Sequence, residues 1–306
     1  MKELWTEKYR PAVVGDYVFT DAGQRAQVES WIEQGAIPHI LLSGSPGTGK
    51  TTLAKVLINE LGVQEYDTLH INASRDNGVD FIKTRVEGFV STMPFGPFKV
   101  VLLDEADYLS HNAQAIMRGL METYQEQARF ILTCNMPHKI MPALHSRCQS
   151  FHIDKSDKVA FTQRLIDILD KEGVKFGEEL ASYIDATYPD LRKCLNLLQG
   201  NSTSGTLVPP GENDRGIKDW KLDAVTLFKS GKIKEARETI CTQASVEEID
   251  EVFRWMYDNL DLWSKDQTGQ DEAILAIRKG LVNHAVCADA EINLSATLIE
   301  LTQIGQ

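Results

Sequence analysis

The chain has 306 residues, 42% of them hydrophobic and 25% charged, with a formal net charge of −12. That is enough for two or three domains with substantial cores, and the acidic balance counts against a surface coated in phosphate-binding charge. No apolar run approaches the roughly 20 residues that span a bilayer, and the N-terminus, MKELWTEKYRP, lacks the apolar centre of a secretion signal, so a cytoplasmic protein with no membrane partner is expected.

In chain order, the first half alternates strand-like runs with helical segments. HILLSG (39–44), LHINAS (69–74), KVVLLDE (99–105), RFILTCN (129–135) and QSFHID (149–154) are short, rich in β-formers and mostly without polar alternation. Strands covered on both faces read this way. Helices are expected between them, near 50–61, 79–92 and 111–126. The repetition implies a parallel sheet flanked by helices. After Asp154 the strand signal stops. Residues 156–200 read as three helices, with Ser156 and Asp157 suited to an N-cap and Gly173 to a helix stop. The Ser-, Thr-, Gly- and Pro-rich run at 201–214 reads as a linker, and 216–306 as wholly helical. Cys134, Cys148, Cys194, Cys241 and Cys287 are scattered and odd in number, which argues against a disulfide framework or a cysteine zinc site. Buried free thiols are expected. Net charge is −4 through Asp154 and −8 beyond it, so a nucleic-acid surface fits the first half better.

GSPGTGKT, from Gly44 to Thr51, fits G-x-x-x-x-G-K-[ST] between a strand and a helix, the context that separates this motif from a chance glycine loop. Glycines let the backbone curl until its N–H groups point at phosphate oxygens, and the helix N-terminus adds positive dipole. Ser45, Pro46, Gly47, Thr48, Gly49, Lys50, Thr51 and Thr52 are therefore candidate ATP-binding residues. Lys50 is expected on the β and γ phosphates and the Thr51 hydroxyl on Mg²⁺. VVLLDEAD delivers Asp104 to the carboxyl end of a strand, where open α/β sheets bind ligands. Asp104 is the second candidate Mg²⁺ residue, and Glu105 is placed to orient or deprotonate the attacking water. Asp107 is a candidate cap for the next helix. Asn135, at the end of the next strand, is placed to hydrogen-bond the water or the γ-phosphate.

With these residues in place, a family likeness emerges. EKYRP (7–11), IPHILLSGSPGTGKTTLAKVL, INAS, LLDEAD, LTCN, HSRC and PDLRKCLNLLQ occur in the order of the clamp-loader AAA+ ATPases. The chain resembles the replication factor C small subunits and the ATPase subunit of T4-like phage clamp loaders. The likeness spans most of the chain; residues 216–306 match only loosely, although INLSATLIEL resembles the end of the phage subunits. It implies an α/β fold: an AAA+ parallel-sheet ATPase domain (1–155), a small helical lid (156–206) and an all-helical C-terminal collar for oligomerisation (207–306). It implies an ATPase subunit of a DNA polymerase sliding-clamp loader, with ATP and Mg²⁺ as cofactors. The implied partners are the sliding clamp, primer–template DNA and other clamp-loader subunits in a pentameric hetero-oligomer.

The likeness also assigns residues. Tyr9, Arg10 and Pro11 match the segment that lies on the adenine. Arg147, in HSRC, matches the arginine finger that acts on the ATP of the adjacent subunit; the bland alternative is a solvated loop arginine. Arg192 matches the lid sensor of the same chain's γ-phosphate. Lys83, Arg85, Gln114 and Arg118 fall on helices that grip template phosphates, and Gln114 and Arg118, four apart, share a helix face. Where the family often has a basic residue opening the first of these helices, this chain reads ASRDNGVDF, with Arg75 or Asn77 in place of the usual pattern. In EGFVSTMPFGPF (87–98), Phe89, Met93 and Phe95 are candidate clamp contacts.

Two rival readings remain. A branch-migration helicase of the AAA+ class would need a winged helix at the C-terminus, and the acidic helical tail argues against it. A non-catalytic loader scaffold would have no need of Lys50, Asp104, Glu105 and Arg147 together.

Overall fold

The computed structural model describes residues 3–153, 155–202, 205–209, 220–230, 232–243, 249–284 and 286–304. The chain divides into two compact units, Met1–Ile168 with Pro189–Arg192, and Leu169–Tyr188 with Lys193–Gln306.

The first unit is built on five parallel strands: β1 (Ile40–Ser43), β2 (Thr68–Asn72), β3 (Lys99–Asp104), β4 (Ala128–Cys134) and β5 (Gln149–His152), in the order β2-β3-β4-β1-β5. Side chains alternate between the two sheet faces, and both faces are apolar. Leu41, Val101, Leu103, Phe130 and Leu132 pack with Ile82, Val86 and Met117 on one side. Ile40, Leu42, Val100, Leu102 and Ile131 pack with Val28, Leu53 and Leu57 on the other. Two-sided burial is why the inner strands β1, β3 and β4 read as unbroken apolar runs, while the edge strands β2 and β5 are partly exposed. Register sets Ser43 beside Cys134 and Asn72 beside Asp104, so the carboxyl ends of the inner strands form one edge.

The helices of this unit carry their own signals. Asp21 caps Ala22–Glu33 by accepting from the Gln24 amide, and Ser110 caps His111–Thr123 by accepting from the Ala113 amide. The helix expected over 79–92 forms as three pieces, with π-helical Lys83–Glu87 between Val79–Ile82 and Gly88–Val90. A single π turn inside a helix often marks a functional position.

In the second unit, Glu179–Thr187, Trp220–Lys229, Ile233–Gln243, Ile249–Asp258, Gln267–His284 and Ala290–Gln303 are helical. Edge-on aromatic contacts fill its core, with centroids 5.6 Å apart for Trp220–Trp255 and 5.0 Å for Phe228–Trp263. Gly280 lets the last two helices approach closely: a Cβ there would fall 2.2 Å from Thr297 Oγ1. Part of the expected linker is fixed. The Lys175 amide donates to the Gly205 carbonyl, the Leu207 amide to the Lys175 carbonyl, and Leu207 is buried. Residues 203–204 and 210–214 of that segment lie outside the described residues. The cysteines are free, but only Cys134 and Cys194 are buried; Cys148 and Cys241 are half-buried and Cys287 is exposed. Among the described residues, no helix is long and apolar enough to cross a membrane.

Candidate nucleotide-binding site

The loop after β1 turns on glycines with positive φ: Gly44 at 143°, Gly47 at 77° and Gly49 at 94°. A Cβ on Gly44 would meet the Ile153 carbonyl oxygen at 1.9 Å, so glycine is a steric requirement there. Gly49 also caps Lys50–Glu60 without a side-chain acceptor, leaving the first amides of that helix available to an anion.

Lys50 is buried, and its Nζ donates to the carbonyls of Gly44 (3.0 Å) and Ser45 (2.7 Å). Both acceptors are neutral. Desolvation pulls the Lys50 pKa below its ordinary value, while Cys134, Asp104 and Asp107 oppose that shift and Arg192 adds to it. A buried ammonium with these neighbours is suited to an incoming anion. The Thr51 hydroxyl donates to Asp104 Oδ1 at 2.7 Å, and the Thr133 hydroxyl donates to the same oxygen at 2.5 Å. His70, on β2, holds Nε2 3.9 Å from the other Asp104 oxygen. Glu105 follows with φ of 57°, the only non-glycine residue with positive φ among those described. Its amide donates to Thr133 Oγ1 at 3.0 Å, which fixes this strained turn from the neighbouring strand.

A cavity of about 150 Å³ gathers Lys50, Thr51, Asp104, Glu105, Asn135 and Arg192. Pro46, Gly47, Gly49 and Thr52 also border it. Thr48 and Ser45 shape the loop instead, through a bond from the Thr48 hydroxyl to the Ser45 carbonyl at 2.9 Å. These residues fit a phosphate chain with a hard divalent cation: a glycine cradle, a buried ammonium, and a hydroxyl–carboxylate pair of oxygen donors. Beside the loop, the buried Tyr17 hydroxyl has no hydrogen-bond partner among the described residues and would lie 3.3 Å from a Cβ on Gly49.

The pattern of the ATPase family associated with various cellular activities (AAA) matches residues 40–154. A replication factor C small subunit of Methanococcus vannielii is 33% identical over 98% of this chain and 99% of its own length. Another, from Methanococcus maripaludis, is 34% identical over 90% of this chain and 91% of its own. One from Archaeoglobus fulgidus is 39% identical over 67% of this chain and 66% of its own. The chain belongs to the replication factor C small-subunit family. It is an RFC-like clamp-loader ATPase subunit of DNA replication. The fold agrees: a RuvB variant of Thermotoga maritima superposes with a TM-score of 0.56 at 13% identity, covering 79% of this chain and 88% of that one.

In this replication factor C-type subunit, neither the segment expected on the adenine nor the residues expected to serve partners are among the residues lining the cavity. Tyr9, Arg10, Pro11 and Arg147 do not line it. The Tyr9 carbonyl accepts from Arg164 Nη2 at 3.2 Å, and Arg10 pairs with Glu7 at 2.6 Å. Arg147 donates from Nη1 to the Ala143 carbonyl at 2.8 Å and from Nη2 to Glu122. Lys83 and Arg85 are exposed on the π turn, and Arg118 is exposed on His111–Thr123.

Gln114 is corrected. It does not share the exposed face of Arg118, for it is only 3% exposed. Its Nε2 donates to the carbonyls of Leu109 and Lys139, and its Oε1 accepts from the Met141 amide. It bolts the helix to the loop after β4, so its amide is not available to a phosphate. Phe89 is also partly buried against the sheet core, whereas Met93 and Phe95 are 75% and 82% exposed. Asp107 does not cap the next helix. Its Oδ2 accepts the amides of Asn135 (3.3 Å) and Met136 (3.1 Å), which positions the end of β4.

Sequence reading missed Thr133 and this role of Asp107. A threonine inside an apolar strand carries no motif. The fourth residue of DEAD was visible, but its partners lie 28 and 29 residues away in the chain.

Proposed function

We propose that ATP hydrolysis in this subunit is stimulated by a sliding clamp and by primer–template DNA, and that the catalytic site is completed by an adjacent subunit. The observation that carries this is the wiring of Thr51 and Thr133 to one oxygen of Asp104, beside a Glu105 turned into the cavity.

Loop amides and Lys50 bind the β and γ phosphates. Thr51 and Asp104 would hold Mg²⁺, which when bound would supply a positive charge that neutralises the phosphate oxygens. Glu105 accepts the proton of the attacking water, and Asn135 orients that water or the γ-phosphate. Arg192 contacts the γ-phosphate of its own chain. Arg147 serves the neighbour's nucleotide, where a guanidinium stabilises charge spreading over the γ-phosphoryl oxygens. Its absence from its own chain's cavity supports that reading. Tyr9, Arg10 and Pro11 line the adenine.

Lys83, Arg85 and Arg118 meet template phosphates, contacts that carry no sequence information and suit a loader acting at any primer. Met93 and Phe95, with Phe89 behind them, face the clamp. Residues 1–155 act as the ATPase domain, 156–206 as a lid, and 207–306 as a collar that joins subunits into a pentameric hetero-oligomer. ATP binding by several subunits holds the clamp open; DNA entry aligns finger and Glu105, triggers hydrolysis and releases the closed clamp.

The test is phosphate release from the chain reconstituted with its partner subunits, measured with and without clamp and primer–template DNA. A rate indifferent to both additions would refute the proposal.

A further inference from the structure

One carboxylate at the end of His111–Thr123 serves two arginines. Glu122 Oε1 accepts from Arg147 Nη2 and lies 3.8 Å from Arg118 Nε, one turn back on the same helix. The three side chains are exposed by 45% for Glu122, 47% for Arg118 and 32% for Arg147. Solvent-screened pairs of this kind add only about 0–1 kcal/mol to stability, so the cluster is a poor candidate for holding the fold. It fixes geometry instead. The long Arg147 side chain has many rotamers, and Ala143 and Glu122 restrict it from two directions. Without the carboxylate, two like charges would converge at this corner.

We propose that Glu122 is the positioning residue of Arg147 and couples it to Arg118. The inference rests on the reading above, in which Arg147 acts on a neighbour's nucleotide and Arg118 meets a nucleic-acid phosphate. A phosphate at Arg118 competes with Glu122 for the guanidinium. The carboxylate is then left to Arg147 alone, and the guanidinium is held more narrowly. Such coupling is reciprocal: an engaged Arg147 also strengthens the phosphate contact at Arg118.

The experiment uses the chain assembled with its partner subunits, clamp and primer–template DNA. Glu122→Gln keeps the size and an acceptor oxygen but removes the charge. DNA stimulation of ATP hydrolysis should fall about tenfold, a size ordinary for coupled sites. The ATP affinity of the isolated chain should hold, because Glu122 does not line the cavity. Placed on Arg118→Ala, Glu122→Gln should cost little more, since residues in one network are not additive. Glu122→Asp, which restores the charge, should recover part of the stimulation. Unchanged stimulation by Glu122→Gln, or losses that multiply with Arg118→Ala, would overturn the inference. A lower Tm with an intact stimulation ratio would reassign Glu122 to a structural role. If the parent assembly itself shows no DNA stimulation, it is the function proposed above that fails.

Discussion

The cavity and the rim of the first unit are built differently. In the cavity, Lys50 donates to the Gly44 and Ser45 carbonyls, and Thr51 and Thr133 donate to one oxygen of Asp104, so the site's groups are held by bonds within the chain. On the rim, Lys83, Arg85, Arg118, Met93 and Phe95 are exposed. Arg147 and Arg118 converge on the half-exposed Glu122. The contrast separates chemistry the chain can assemble alone from chemistry that awaits another molecule. Cavity substitutions should therefore act on the isolated chain, and rim substitutions only in the assembly.

The largest effect should come from Arg147→Ala, because trans arginines are worth roughly 10³–10⁵ in rate in related nucleotide hydrolases. The variant should still bind ATP. Mixed with Lys50→Ala, it should recover part of the clamp- and DNA-stimulated phosphate release, since some interfaces then pair an intact loop with an intact finger. No gain on mixing, with subunit exchange confirmed, would return Arg147 to a role within its own chain and erase the distinction between cavity and rim.

The two cavity variants should differ from each other. Glu105→Gln should retain ATP affinity and lose about 10²–10⁴ in turnover, the range of general-base catalysis. Lys50→Ala should lose about 10²-fold or more in ATP affinity, as expected when a charged donor to phosphate is removed from a buried site. Equilibrium binding with single-turnover hydrolysis separates them, and equal ATP affinity for Lys50→Ala and parent would be decisive against the assigned site.

Lys83→Ala, Arg85→Ala and Arg118→Ala together should weaken DNA binding uniformly across sequences. Each lost phosphate contact should flatten the salt dependence by roughly 0.7–0.9 in log–log slope. An unchanged slope would make these ordinary surface charges. The smallest effect should come from Phe95→Ala, which should shift the stability of the isolated chain by no more than about 0.5 kcal/mol while clamp affinity falls by about 1–2 kcal/mol. Unaltered clamp affinity would free that surface for another use.

Much of this was legible in the chain. The strands were legible because both sheet faces are covered, and the loop from Gly44 to Thr51 because its backbone demands glycine. Gln114 was misread for a physical reason. Spacing of four suggested a face shared with Arg118, but Ala113, Met117, Leu120 and Met121 form the buried face, and Gln114 lies at the edge of that arc beside Met121, on its buried side. The apolar pattern carried that signal. Thr133 was illegible, since its two bonds cross to the neighbouring strand and depend on register. Glu122 was equally hidden, because its pairing with Arg147 needs two elements to meet.

The backbone at Glu105 has a longer reach than its site. A left-handed φ on a residue with a side chain costs about 1–2 kcal/mol, and only glycine would occupy that turn without penalty. A chain drifting toward greater stability would thus gain by discarding the carboxylate there. Glutamate and thermodynamic robustness pull in opposite directions at this codon, and descendants that shed the glutamate should be sturdier proteins that no longer turn over.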